Sequence, residues 1–367
     1  MSFVAEKLRL ARIASGLSLE ELGASVSATR QYIHQLENKS KNPTDDMINA
    51  IVDILGVTRN FFYEPSETIP AEHYHFRKQL TTPASITGQV IARGTILDSL
   101  VAEIDQNLNL PSVNFPSISI KNEEEIERAA EKCRLHWGLG LDGPIVNMTR
   151  VVEHAGAVVA EFKGISDRVD ALSIDRPRPI IIRSVAKASL SRLRFDLAHE
   201  AAHFVLHKGI VTGDQATEAQ ANRFASAFLM PRSAFVKEFK IRRNLDWKMI
   251  LSLKLRWKTS LHAIIRRAYD LRLINAAQYR SGNIHLVKTG QAKTEKYDDT
   301  LPLEEPEILV TSIKMLEKVS PGSVQRICQK IGISNSMFEL VTGHKMPISS
   351  ITNDPKIIPL SLSKISR

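Results

Sequence analysis

Cysteine is nearly missing from this chain. Only Cys133 and Cys328 occur in 367 residues, and they lie far apart in sequence. A disulfide framework is therefore not expected, and a metal site built on two or more thiolates is nearly excluded. Long apolar runs are missing too. None approaches the roughly 20 residues needed to cross a bilayer, so no membrane association is expected. The opening stretch MSFVAEKLRLARIASG carries charges where a secretory signal would place its apolar segment, which makes the expected location cytoplasmic. No internal repeat or low-complexity tract interrupts a composition that is 43% hydrophobic, enough for two or three separately cored domains.

Positive charge is in excess, +9 net, and it is unevenly placed. Residues 1–65 hold seven Lys and Arg against eight Asp and Glu, a net of −1, whereas residues 232–280 hold 13 against 3, a net of +10.

The N-terminal region reads as a set of short helices. Ser18 and Glu21 have the form of a capping box, since the Ser18 hydroxyl can accept from the amide of Glu21 while Glu21 reaches back. Thr44 can cap a later helix whose first turn carries Asp45 and Asp46, where the helix dipole favours acids. Between them Ile33 and Leu36 share an inward face, and Arg30, Gln31, His34 and Gln35 share the other. Two short helices joined by a tight turn, the second presenting Arg and Gln outward, suit a reader of the DNA major groove. The stretch EELGASVSATRQYIHQLENKSKNP resembles the phage-repressor-like (XRE) helix-turn-helix family over about 60 residues. The resemblance implies that Arg30, Gln31 and Gln35 face bases, with Thr29, Asn38, Lys39 and Lys41 near phosphates. Paired half-sites would then imply a homodimer on double-stranded operator DNA. Ser27 departs from the family, which usually has a turn glycine suited to positive φ there. A small helical protein-interaction domain is the alternative, and the slightly acidic total counts against DNA binding, because phosphate contacts supply much of DNA affinity.

Further along, a polar passage at 75–85 precedes an expected helix at 90–108. Pro111 and Pro116 mark a boundary, and an acid-led helix follows at 122–139. Residues 151–162 and 171–185 read as strands of a small sheet, being rich in β-branched residues with prolines at the ends.

The segment LRFDLAHEAAHFVLHKG reads as a helix of about four turns ending at Gly209. His199 and His203 are four apart, so their imidazoles leave one face and can hold a single zinc ion. Glu200 lies one position round, suited to take a proton from water that the metal acidifies. The H-E-x-x-H pattern needs a third ligand. Gly209 occupies the position of the third histidine in the extended motif, and His207 is offset from the ligand face. Glu218, early in an expected helix ending at Pro231, is the better candidate, and would leave a fourth position open.

HEAAHFVLH followed by EAQANRFASAFLMP resembles the ImmA/IrrE family of zinc metallopeptidases, over roughly residues 122–285. The resemblance implies His199, His203 and Glu218 as zinc ligands, Glu200 as general acid/base, and Asn222 in support behind them. An alanine-rich core helix with incidental histidines is the alternative reading.

In 232–280, Trp247 and Trp257 among cations would suit a single-stranded DNA platform, or else the tryptophans are buried and the charges form a solvated face. The expected fold class is mostly α with a small α+β metallopeptidase domain: a five-helix helix-turn-helix domain, a zincin-like helix packed near a short sheet, and a helical C-terminal region. The expected division is a helix-turn-helix domain at 1–66, linker and helix at 67–120, metallopeptidase domain at 121–285 and helical region at 286–367, with 363–367 disordered. Together the two resemblances imply a regulator that cleaves a repressor protein, or its own linker, under stress or DNA damage. The rival reading is a non-proteolytic repressor or antitoxin-like regulator whose metal domain senses or stiffens.

Overall fold

The computed structural model describes residues 2–63, 69, 73–78, 83–162, 169–184, 189–292 and 294–347. The fold is mostly helical with one small sheet, as expected, and the sheet organises it.

The N-terminal unit consists of α1 (Ala5–Ala14), α2 (Leu19–Ser25), α3 (Arg30–Glu37), α4 (Asp45–Leu55) and a single 3-10 turn at Arg59–Phe62 where a fifth helix was expected. Local chemistry sets its boundaries. Ser18 and Glu21 form the full capping box, Thr29 accepts from Tyr32 N, and Thr44 accepts from Met47 N. Ser27 carries the turn between α2 and α3 at φ 53°, so a serine holds the left-handed conformation for which glycine is the usual choice. Arg12 of α1 pairs bidentately with Glu37 at the end of α3, at 2.6 and 2.9 Å.

Four strands follow the order β1-β3-β4-β2. These are β1 (Tyr74–Lys78), β2 (Val158–Glu161), β3 (Val169–Ile174) and β4 (Ile180–Arg183). β3 pairs antiparallel with both β1 and β4, and β2 runs parallel to β4. Two sequence expectations change here. The polar passage at 75–85 contains edge strand β1, with residues 79–82 outside the described residues. The first half of the expected strand at 151–162 is instead helix α7 (Met148–His154), capped by Asn147, and only Val158–Glu161 is extended. Val151 and Val152 carried the strand reading, but Asn147 starts a helix whose apolar side is buried through Met148 and Val152.

Strand alternation divides the interior in two. Val158, Ala160, Leu172, Ile174, Ile180 and Ile182 join one core with α5 (Ala84–Asn107) and the N-terminal unit. Gly94 brings α5 against this face: a Cβ there would lie 2.9 Å from Ile174 Cδ1. The same core takes in α14 (Ile308–Val319), α15 (Ser323–Ile331) and α16 (Asn335–Thr342). These C-terminal helices clasp the N-terminal unit: Thr58 N donates to Gly332 O at 2.8 Å and Ser334 N donates to Gly56 O at 3.0 Å. Residues 363–367 lie outside the described residues.

The opposite sheet face, with Ala157, Val159 and Ile181, belongs to a second core. It is built from α6 (Glu123–His136), α8 (Leu190–Leu206), α9 (Gln215–Leu229), α10 (Arg232–Glu238), α11 (Trp247–Trp257), α12 (Leu261–Asp270) and α13 (Ala276–Lys288). Buried ion pairs lock this layer. Arg267 of α12 meets Glu127 of α6 at 2.6 and 2.8 Å, and Lys254 meets Glu295 and Asp298 at 2.6 Å each. Arg194 of α8 meets Glu304, whose carboxylate also accepts from Met148 N and Thr149 N at the start of α7. Such pairs hold register, since removing one partner would strand a buried charge.

Candidate metal site and DNA-reading helix

α8 is rich in Leu and Ala, good helix formers, and from Leu197 to Leu206 every residue is buried. α9 starts at Asp214, which accepts from Ala216 N and Thr217 N, and this cap places Glu218 in the first turn facing α8. The structure brings His199, His203 and Glu218 together, with their donor atoms all within 4.8 Å of one another.

The spacing tests what they could hold. His199 Nε2 and His203 Nε2 lie 3.1 Å apart, His199 Nε2 and Glu218 Oε2 3.3 Å, and His203 Nε2 and Glu218 Oε1 3.6 Å. Donors at tetrahedral corners around zinc, each about 2.0–2.1 Å from it, stand about 3.3 Å apart. Two imidazole nitrogens facing each other so closely need a shared proton or cation between them. Glu218 Oε1 is buried and has no hydrogen-bond partner. Two imidazole nitrogens and one carboxylate converging in this way fit a divalent ion such as zinc.

The reverse side of each imidazole is also engaged. His199 Nδ1 contacts Asn222 Oδ1 at 3.1 Å. His203 Nδ1 contacts His207 Nδ1 at 2.9 Å, and His207 Nε2 contacts Gln220 Oε1 at 2.8 Å. His207 therefore stands behind the triad, and burial lowers its pKa. Glu200 turns toward the sheet, where the Ser173 hydroxyl of β3 donates to it.

Sequence reasoning passed over Ser173 and His75. His75 pairs across the sheet with Ser173, so the two share a face. The His75 ring lies flat on His203, centroids 4.8 Å apart and planes 8° from parallel. Its Nδ1 is 2.8 Å from Thr212 Oγ1, its Nε2 is buried without a hydrogen-bond partner, and desolvation pushes its pKa down to about 4. The only signal in the sequence was alternation over five residues, too short to specify a strand.

In the N-terminal unit Arg30 and Gln31 are exposed on α3 and Gln35 is half-buried beside them. The residues expected near phosphates are exposed but engaged within the unit. Thr29 caps α3, Asn38 contacts His34, Lys39 pairs with Glu6 at 2.9 Å, and Lys41 lies 5.6 Å from the Tyr32 ring centre. In the basic segment, Trp257 is fully buried and donates to Glu238 Oε2, and Trp247 stacks on His285. The Trp257 ring is thus closed to a base, and Lys254 and Arg267 are buried in ion pairs.

Residues 8–62 match the family model for a helix-turn-helix, and residues 152–269 match that for the IrrE N-terminal-like domain. The chain thus carries an XRE-type helix-turn-helix followed by an ImmA/IrrE-like peptidase domain, in that order. No curated protein matches the chain. His199, Glu200, His203 and Glu218 all fall within the second match, whereas His75 falls outside both. Among the described residues no helix is long and apolar enough to cross a membrane.

Proposed function

We propose that this chain is a cytoplasmic DNA-binding transcriptional regulator whose second domain is a zinc-dependent endopeptidase, with a repressor-type protein as substrate and stress or DNA damage as the trigger. The division into 1–66, 67–120, 121–285 and 286–367 belongs to the same reading. The observation that carries it is the convergence of three side chains: the two imidazole Nε2 atoms lie 3.1 Å apart, and each has one oxygen of the Glu218 carboxylate at 3.3 or 3.6 Å, close to the corner-to-corner distance around a zinc ion.

His199, His203 and Glu218 would hold the metal, with Asn222 fixing the His199 ring through Nδ1. When bound, zinc supplies Lewis acidity toward a peptide carbonyl and toward water. Glu200, next to His199 on α8, would be the group that accepts a proton from water and returns it to the leaving amine. The Ser173 hydroxyl aims that carboxylate by donating to Oε2. At the other end, Arg30, Gln31 and Gln35 would read base edges of double-stranded operator DNA, with Thr29, Asn38, Lys39 and Lys41 near the phosphates. Paired half-sites would make the bound form a homodimer.

The burial of Glu200, 0% exposed, supports a second reading. There the chain is a non-proteolytic repressor or antitoxin-like regulator whose metal domain senses or stiffens. One comparison separates the two. Purified chain and its Glu200→Gln variant are assayed for zinc content and for cleavage of helix-turn-helix repressor proteins. The peptidase reading expects equal zinc in both and cleavage by the parent chain alone. Equal cleavage by the variant, or zinc-loaded parent that cuts no repressor, would sink it.

A further inference from the structure

A cavity of about 590 Å³ lies between the first two turns of α8, the middle of α9 and the length of α12, with Glu123 of α6 and Tyr279 of α13 at its edge. None of His199, Glu200, His203 or Glu218 lines it. Asn222 does, and because Asn222 meets Nδ1 of His199, the cavity sits on the side of that imidazole away from the Nε2 facing Glu218. It is thus a separate space behind the triad.

Its walls hold polar atoms that the fold leaves unsatisfied. Ser191 is 1% exposed and Ser226 4%, both line the cavity, and neither hydroxyl has a hydrogen-bond partner. Arg223 Nε is buried without a hydrogen bond as well, although it faces Glu127 Oε1 as an ion pair at 3.7 Å. Leaving three such atoms without hydrogen bonds around one cavity, one on α8 and two on α9, is costly unless a ligand meets them. A guanidinium nitrogen can only donate, and hydroxyls beside it donate readily, so the missing group is acceptor-rich. Ser191 also belongs to the first turn of α8, where the helix dipole presents its positive end. Three acids share these walls and each is engaged within the protein: Glu123 pairs with Arg223 Nη1 at 2.7 Å, Asp270 with Arg266 at 2.9 Å, and Asp196 is not without a partner either. Phe195 and Tyr279 supply apolar surface for the rest of a ligand.

We propose that this cavity binds a small molecule carrying a carboxylate or phosphate on a compact apolar body, with Ser191, Ser226 and Arg223 receiving the anion. The site does not depend on the peptidase reading, because no atom of the triad takes part in it.

The test is calorimetric titration of the full chain, metal-free and zinc-loaded, with benzoate, phenyl phosphate and inorganic phosphate. Saturable one-to-one binding is expected for benzoate or phenyl phosphate, and which of them binds tells carboxylate from phosphate. Ser191→Ala combined with Ser226→Ala should weaken that binding about tenfold or more. The same double variant should leave the thermal midpoint of the unliganded chain unchanged or raised, since neither hydroxyl is bonded in the fold. Absence of saturable binding by the parent chain, or binding that the double substitution does not weaken, would overturn the proposal. So would displacement of the probe by a cleavable peptide, which would make the cavity a substrate subsite. Failure of cleavage with intact probe binding would count against the peptidase reading alone.

Discussion

His75 of β1 covers His203 of α8 as a parallel ring, 4.8 Å centre to centre. A strand outside both family matches thereby roofs a residue of the triad.

The stack predicts a graded response at position 75. His75→Ala opens the roof and should weaken zinc binding about tenfold, within the range for groups that support metal ligands. His75→Phe keeps a flat ring and should recover most of the loss. Competition with a zinc indicator measures both, and equal affinities for parent and Ala variant would refute a supporting role.

Position on α3 or just beyond its end predicts two kinds of DNA variant. Arg30→Ala and Gln31→Ala should each reduce discrimination between a selected duplex and an unrelated one by about 1–3 kcal/mol. Lys39→Ala should weaken both duplexes similarly and flatten the salt dependence. Titrations at two salt concentrations distinguish these, and loss of specificity from Lys39→Ala alone would reverse the assignment.

Glu153 predicts a pH effect far from the triad. Burial raises its carboxyl to about 7, outweighing its bonds to Glu307 N and Ile308 N. The folded pKa lies above the unfolded value of 4.5, so the folded chain binds the proton more tightly. This group's stabilisation is full below pH 4.5 and is lost as pH rises to 7, about 3 kcal/mol in all. Glu153→Gln should remove that slope. Denaturant titrations of both chains between pH 4.5 and 7.5 check it, and parallel curves would contradict the account.

Gly332 predicts the strength of the C-terminal clasp. It sits at φ +78°, and a Cβ there would lie 2.6 Å from the Phe61 backbone. Gly332→Ala should cost about 2 kcal/mol or more, lowering the thermal midpoint and shifting signals of the N-terminal unit. An unchanged midpoint would mean the close approach is readily relieved.

What could be read from the sequence follows the range of the forces involved. The Ser18 box, the Thr44 cap and the His199–His203 pair are fixed within one turn of helix, so residue spacing alone exposes them. Glu218 was reachable because α9 follows α8 directly. Ser173 and His75 meet the triad only through pairing of distant strands, and nothing in the five residues of β1 announces a partner. Trp257 is buried, as the plainer reading has it, because an amphipathic helix needs a large apolar anchor, whereas Trp247 is half-buried and Lys254 and Arg267 leave the solvated face for buried ion pairs. Ser27 shows that an unexpected residue can still hold the expected backbone.

The sheet is a party wall, carrying the hydrophobic interior of the DNA-reading end on one side and that of the triad on the other. Arg93 of α5 donates to Ala14 O, and Gly332 and Ser334 bond directly to residues beside α4. Severing the chain between Tyr63 and His73 would therefore leave the helix-turn-helix unit still bolted to the rest of the chain. A cut there would release the N-terminal unit only after α5, α15 and α16 had also let go.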